Sequence, residues 1–200
     1  AGLGFHWPNA SMTHQLENTL GYNPVRLADY SRATGADDTV GLPDQRKFAP
    51  LMPSYKSRLA DLLGLRFIAT GVPIEQIDKS MKAGSFRLVA QNPDGFIYEN
   101  DNALPRVLFA SKARQADFAA LLQNGPWPDF DPTTTVLLEA PTRADVPPRG
   151  SGTVRITTWR NNRVDIEVDS AAGGWVVLND IWHPWWFAEV DGVPADILRA

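Results

Sequence analysis

The chain has 200 residues, no cysteine and a formal net charge of −4 at neutral pH. The lack of cysteine excludes disulfides, thiolate metal sites and a cysteine nucleophile, and the negative charge gives no electrostatic basis for binding nucleic acid. With 44% apolar and 21% charged residues, the composition supports a packed core and is not typical of a disordered protein. No apolar run approaches the ~18 residues that a membrane-spanning helix needs.

The first part of the chain, residues 1–140, mixes two periodicities. Apolar residues three and four apart predict amphipathic helices, and short aromatic or β-branched runs predict strands. Asn92-Pro93-Asp94-Gly95 lies between two such runs and favours a hairpin. We therefore predict an α/β part with a mixed sheet of about four strands. Its elements in chain order are helices after Ser11, after Asn23 and around 59–63, a strand at 66–70, a hairpin at 86–90 and 95–99, a strand at 106–110, a helix at 111–123 and a strand at 135–139.

The pattern changes at residues 141–152, which contain three prolines and two glycines and no apolar periodicity. This composition predicts a linker or a long crossing loop. After it, strict alternation predicts an all-β unit at 153–200, small and sandwich-like, which we expect to continue beyond Ala200. The whole chain is therefore predicted to have an α+β fold. Its expected strands are 153–160, 163–169, 175–179, 187–190 and 193–198.

Three tryptophans, Trp182, Trp185 and Trp186, lie close together in the predicted β unit. Pro184 interrupts strand pairing, so the chain should turn there. Neighbouring residues of an extended chain face opposite sides, so we expect one of Trp185 and Trp186 to be exposed and the other packed. Three interpretations of the tryptophans stay open: core packing, a platform for sugar rings, or contact with a membrane-embedded part or the lipid interface.

Two charged residues, Glu99 and Arg106, flank predicted strands in the first part. The guanidinium of Arg106 has the geometry to hold a phosphate or carboxylate through two hydrogen bonds. The alternative is an Arg–Glu pair inside the domain that ties the loop after Tyr98 to the next strand. We expect Arg106 to be mostly buried and paired with a carboxylate or with backbone carbonyls.

The sequence offers little that indicates catalysis or metal binding. Its histidines, His6, His14 and His183, have no metal-ligand spacing. We therefore predict no catalytic residue, no metal ligand and no cofactor. A soluble hydrolase using Asp129 or His183 is an alternative, although no Gly-x-Ser-x-Gly elbow supports it.

Residues 98–106, YENDNALPR, resemble a stretch of the YfhO family of bacterial membrane proteins. Further stretches similar to that family occur in the same order at 21–30, at 62–67 and from 162 to 192. Members are polytopic and resemble GT-C glycosyltransferases, with a large extracytoplasmic domain near the C-terminus. The resemblance implies that this chain is that domain, periplasmic or on the outer face of the membrane and tethered by the helices of a parent protein.

The resemblance also implies an accessory role, such as acceptor recognition or site shaping, in sugar transfer from a lipid-phosphate donor. In GT-C-like enzymes the catalytic acid lies in a loop between early membrane helices. The implied partners are the transmembrane portion of the parent and a glycan or polyprenyl-phosphate sugar. A stand-alone carbohydrate-binding module is the alternative. Trp185 stands where many members have glycine, so Trp185 is the ring we expect to be exposed. The candidate binding residues are Trp182, Trp185, Trp186, Arg106 and Glu99.

Overall fold

The structure, a computed structural model, describes residues 2–3, 15–17, 28–34, 54–123, 127–139 and 150–200. It forms two compact units, Ala1–Leu104 and Pro105–Ala200. Short helices and small sheets occur along the same chain, which confirms the predicted α+β class.

A four-stranded mixed sheet organises the first unit. The number of strands agrees with the prediction, but the strands expected at 106–110 and 135–139 belong to other sheets, and Gly2–Leu3 is a strand that the sequence did not predict. Its strands are β1 (Gly2–Leu3), β2 (Phe67–Thr70), β3 (Arg87–Asn92) and β4 (Gly95–Glu99), in the order β1-β2-β4-β3. β1 runs parallel to β2, whereas β2 and β3 both run antiparallel to β4. The hairpin predicted around the Asn-Pro-Asp-Gly turn is therefore confirmed.

The described residues of the first unit include three helices: α1 (Ala28–Thr34), α2 (Arg58–Leu62) and α3 (Ile74–Ile77). The hydroxyl of Ser57 accepts a hydrogen bond from an amide of the first turn of α2 and so caps that helix. The core is a cluster of buried side chains contributed by the strands, the helices and the loops between them. Its members are Tyr55, Ala60, Leu65, Ile68, Ile74, Met81, Phe86 and Tyr98.

Two helices predicted before residue 54 have different outcomes. In the helix predicted after Ser11, only residues 15–17 are described, and they are not helical, because Gln15 has a φ of 56°. The helix predicted after Asn23 is helical from Ala28 onward, and its start lies outside the described residues.

The second unit is built from short ladders. β5 (Val107–Ala110) pairs antiparallel with β10 (Trp175–Leu178), and β6 (Lys112–Gln115) pairs parallel with β7 (Thr135–Leu138). The helix α4 (Phe118–Leu122) lies between β6 and β7 in the chain. The remaining strands form two antiparallel hairpins, β8 (Thr153–Arg160) with β9 (Arg163–Asp169) and β11 (Ala188–Val190) with β12 (Val193–Ala195).

The second unit differs from the sequence predictions at 111–123 and in the pairing across 141–152. The helix predicted at 111–123 is wrong in its first part, because Lys112–Gln115 is a strand that pairs with β7 and the helix begins only at Phe118. The linker predicted at 141–152 lies outside the described residues, apart from its last three. The strand pairing of β5 with β10 joins residues on either side of that segment, whereas the predicted division separated 1–140 from 153–200. From Thr153 onward the described chain contains no helix, as predicted.

The ring of Phe109 on β5 fits between two glycines. A Cβ atom at Gly174 would lie 2.1 Å from this ring, and a Cβ atom at Gly152 would lie 2.8 Å from it. Neither distance is possible for real atoms, so both positions need glycine for the backbone to lie against the ring. This contact fixes the loops before β8 and before β10 against β5.

Candidate functional site

The tryptophan segment, residues 181–187, forms a tight turn in the second unit. The backbone amide of Trp186 donates to the carbonyl of His183 at 3.0 Å, so Pro184 and Trp185 occupy the two central positions of the turn. Proline suits the first central position because its ring fixes φ. The chain therefore turns at Pro184, as the sequence predicts.

The turn places its aromatic rings in different surroundings. Trp185 is 80% exposed and Phe187 is 89% exposed. Trp186 is half-buried, and its indole nitrogen donates to the carbonyl of Ile181 at 3.2 Å. The ring of His183 meets the Trp185 ring edge-on, with centroids 4.7 Å apart, and its Nδ1 accepts from the Trp185 amide. The structure thus confirms that Trp185 is the exposed ring of the adjacent pair.

The β11–β12 hairpin follows the tryptophan segment and is also apolar on its surface. Asp191 and Gly192 have φ values of 52° and 79°, the left-handed geometry of a two-residue hairpin turn. Val190 and Val193 pair directly and are 63% and 64% exposed. We call the exposed rings of Trp185 and Phe187, which lie just before this hairpin in the chain, the aromatic hairpin surface.

Sequence reasoning missed Phe187 as a candidate and weighted Trp182 too heavily. Trp182 is 42% exposed, and the Arg199 guanidinium carbon lies 5.8 Å from the centroid of its ring. Phe187 was assigned only to a strand. Phe187 could have been identified from its position two residues after Trp185, because this spacing puts side chains on the same side of an extended chain.

Arg106 supports the tryptophan segment from the start of β5. Its guanidinium pairs with the carboxylate of Asp180 at 3.2 Å and lies 4.6 Å from the centroid of the Trp159 ring. The same Asp180 carboxylate accepts from the amide of Ile181 at 2.7 Å. The predicted pairing with a carboxylate is confirmed, but Arg106 is 36% exposed rather than mostly buried. The ion pair with Asp180 ties the start of β5 to the residue that precedes the tryptophan segment.

Glu99 belongs to the first unit and forms ion pairs with arginines of the same unit. Its side chain is 12% exposed and pairs with Arg66 at 3.1 Å and with Arg87. Arg87 also reaches Asp101 at 3.4 Å. Glu99 therefore links β4 to the arginines at the starts of the two neighbouring strands.

Buried Asn100, next to Glu99, has a comparable role. Its amide nitrogen donates to Asp61 at 2.8 Å and to the carbonyl of Leu65 at 3.1 Å, and its oxygen accepts from the amide of Asn102. With 2% of its surface exposed, this side chain joins the end of β4 to α2 and the turn after it. The YENDNALPR stretch thus includes two residues with clear structural roles.

The residues considered for hydrolysis each have local hydrogen-bond partners. The carbonyl of Asp129 accepts from Arg114 at 3.0 Å, and neighbouring Asp131 belongs to a turn. Hydrogen bonds from the Thr133 side chain and amide lower the pKa of Asp131. His183 contacts Trp185, as described above. Within the residues described, no group of three His, Cys, Asp or Glu side chains is placed to hold a metal ion.

No helix in the described part of the chain is long and apolar enough to cross a membrane. No family model matches the sequence. No curated protein and no solved structure matches it either.

Proposed function

We propose that this chain is an accessory recognition domain on the extracytoplasmic side of a polytopic bacterial membrane protein that resembles lipid-linked-sugar-dependent GT-C glycosyltransferases. Its proposed ligand is the acceptor glycan. The membrane-embedded portion of the parent protein and a polyprenyl-phosphate sugar are its proposed neighbours. The membrane context rests on the four ordered stretches that resemble the YfhO family. The recognition role rests on the aromatic hairpin surface.

The observation that carries the recognition role is the exposure of Trp185 and Phe187. Covering a large apolar side chain completely contributes about 1.5–3 kcal/mol, and these two rings are the most exposed large apolar side chains among the described residues. Flat aromatic faces suit the apolar faces of sugar rings, and tryptophan is also favoured at lipid interfaces. The rings lie on a turn held by hydrogen bonds and by Asp180, so little ordering is needed when a ligand binds.

Two further features favour binding over catalysis. Arg106 and Glu99 are engaged in ion pairs with neighbouring side chains, and in proteins of the resembling family the catalytic acid lies between early membrane helices. We therefore expect the purified chain to transfer no sugar from a polyprenyl-phosphate donor. Robust transfer by the purified chain would contradict the accessory role.

The binding role is tested by titrating the chain with neutral oligosaccharides of envelope type while recording tryptophan fluorescence. Trp185→Ala and Phe187→Ala should each weaken binding by at least about tenfold, the equivalent of 1.4 kcal/mol. Trp159→Phe is the matched control, because that ring is held under Arg106 on another hairpin. Equal affinities of all variants would contradict a role for this surface.

The membrane context is tested separately by reading the genomic frame on both sides of this coding segment. We expect transmembrane segments in the same frame. Without them, the binding data would support a stand-alone carbohydrate-binding module instead.

A further inference from the structure

The charge around the aromatic hairpin surface is one-sided. Residues 164–198 contain no lysine and no arginine. The same stretch carries seven carboxylates, Asp165, Glu167, Asp169, Asp180, Glu189, Asp191 and Asp196. A ligand of this surface therefore meets a negative potential, which attracts cations and repels anions.

Ion pairs compensate only part of this charge. Arg163 pairs with Asp165, Arg155 with Glu167 and Arg106 with Asp180. Among the residues that the structure describes, the three carboxylates on or beside the β11–β12 hairpin form no ion pair within 4 Å. They are Glu189, Asp191 and Asp196, and all three are exposed.

Two of these carboxylates, Glu189 and Asp196, lie close in the chain to the exposed ring of Phe187 and to the hairpin that follows it. Glu189 pairs with Pro194 across the hairpin, so the two share one face. Phe187 lies two residues before Glu189 and Asp196 two residues after Pro194, each just beyond the ends of the paired strands. Val190 and Val193 occupy the opposite face. This short hairpin and the residues next to it thus carry an exposed aromatic ring and two exposed carboxylates.

Arg163 and Arg199 flank this stretch in the chain, and each pairs with a carboxylate, Arg163 with Asp165 and Arg199 with Glu139. Arg163 is 69% exposed, and its pKa is raised, mainly by the hydrogen bond and charge of Asp165 and further by the charge of Glu189. Its positive charge is therefore shared with Asp165. The hairpin keeps an excess of negative charge.

We infer that the aromatic hairpin surface selects saccharides that carry ammonium groups, such as glycans with unacetylated amino sugars, over neutral and anionic ones. This inference rests on the proposed glycan-binding function. Sugar rings stack on Phe187 and Trp185, while ammonium groups donate charge-assisted hydrogen bonds to Glu189 and Asp196 and gain cation–π attraction from the rings. The same carboxylates repel phosphate-rich glycans and anionic lipid surfaces.

The test uses ligands that differ in charge and share a backbone. The full chain is titrated by calorimetry with a glucosamine hexamer, with the N-acetylglucosamine hexamer and with an anionic galacturonate hexamer, all at a pH where the amines are charged. We expect the glucosamine hexamer to bind about tenfold more tightly than its acetylated counterpart at low salt, and this ratio to shrink as salt is added. The anionic hexamer should not bind.

Variants separate the charge from the rings. Glu189→Gln/Asp196→Asn should abolish the preference for the glucosamine hexamer and leave binding of the acetylated hexamer unchanged. Glu75→Gln/Asp94→Asn, in the first unit, removes the same number of negative charges and should change neither affinity. Phe187→Ala should weaken binding of both hexamers.

The possible results have distinct meanings. Equal binding of both hexamers, lost in Phe187→Ala, would overturn the selectivity and leave the proposed function standing. Binding of no saccharide would overturn both. Glucosamine-hexamer binding that survives Phe187→Ala, or that falls equally in the first-unit control, would show non-specific charge attraction and overturn the inference. Tighter binding to phosphatidylglycerol vesicles than to the glucosamine hexamer would also overturn the inference.

Discussion

Trp185 and Trp186 are neighbours in the chain but differ in what surrounds them. Trp185 occupies the outer corner of the turn and is 80% exposed. The indole of Trp186 is anchored to the carbonyl of Ile181. The sequence could predict this difference because it depends on local geometry, namely a proline that forces a turn and the opposite directions of adjacent side chains.

The two rings should therefore respond differently to acrylamide. Trp185→Phe should remove the most quenchable part of the tryptophan emission and lower the average quenching constant. Trp186→Phe should leave a more quenchable average, because a protected ring is lost. Stern–Volmer plots of the two variants and the parent chain give this comparison directly. Equal protection of both rings would remove the basis for a binding role here.

The ion-pair partner of Arg106 could not be predicted from the local sequence. Its residue type and its place at a strand start predict a carboxylate partner, but Asp180, 74 residues further along the chain, is chosen by the tertiary fold. The same holds for Glu99, whose partners Arg66 and Arg87 are aligned with it by the sheet. Local spacing could not identify those partners because strand order and register are set by long-range packing.

Arg106→Ala should lower the stability of the second unit by about 1–3 kcal/mol, because it leaves Asp180 without its cation and removes packing from the Trp159 ring. Both side chains are partly exposed, 36% and 27%, which keeps the loss below that of a fully buried pair. Arg106→Lys should recover only part of it, since lysine lacks the planar group that covers the ring. Urea unfolding curves measure these differences, and an unchanged midpoint in Arg106→Ala would contradict the positioning role.

At the scale of elements, the segment 111–123 shows how pairing overrides a local pattern. Apolar residues at helical spacing occur only from Phe118 onward, and Asp117 caps that helix by accepting from the amide of Ala120. Residues Lys112–Gln115 carry no strong preference and become a strand because β7 offers a parallel partner. That partner lies beyond α4 in the chain, so no local window contains the information.

The glycines around Phe109 provide a prediction for the contact between β5 and the loop before β10. Gly174→Ala should destabilise the second unit by about 1–3 kcal/mol, because the new methyl group overlaps the ring. Phe109→Leu in the same chain should recover part of the loss, which a double-mutant cycle in urea would reveal. Gly71→Ala is the control, because a Cβ atom there meets nothing within 4 Å.

A second prediction at this scale concerns acid stability of the first unit. Burial disfavours the charged form of Asp78 at the end of α3, but hydrogen bonds from Ser80, from Ser54 and from the amide of Tyr55 outweigh it and lower the pKa of its carboxyl. A carboxyl group whose pKa is lower in the folded state than in the unfolded state stabilises the fold at pH values above its unfolded-state pKa of about 3.9. This stabilisation is lost as the pH falls through the folded-state pKa.

Asp78→Asn should therefore lower the stability near pH 7 by about 1–2 kcal/mol. The difference from the parent chain should shrink as the pH is lowered below about 4. Melting temperatures recorded from pH 7 to pH 3 test this, with Asp94→Asn in the exposed β3–β4 turn as the control. A difference that stays constant over this range would show that ionisation of Asp78 does not contribute.

At the scale of the whole molecule, the division of the chain depends on pairing between distant strands. The Pro- and Gly-rich segment at 141–152 is the clearest change in composition, so it is where local reasoning places a boundary. The structure instead joins β5 to β10, residues from both sides of that segment, within the unit Pro105–Ala200. A Pro- and Gly-rich composition is typical of long connections inside a unit and also of those between units, so it does not distinguish the two.

This leads to a prediction about fragments. Residues 105–200 should fold alone with a cooperative urea transition, because the pairing of β5 with β10, the Phe109 contact with Gly174 and the Arg106–Asp180 pair are all inside that fragment. Residues 153–200 lack β5 and all three interactions. Two-stranded hairpins alone are marginally stable at best, so this shorter fragment should show no cooperative transition. Dispersed amide resonances from both fragments would place the boundary after residue 152 and contradict the division seen here.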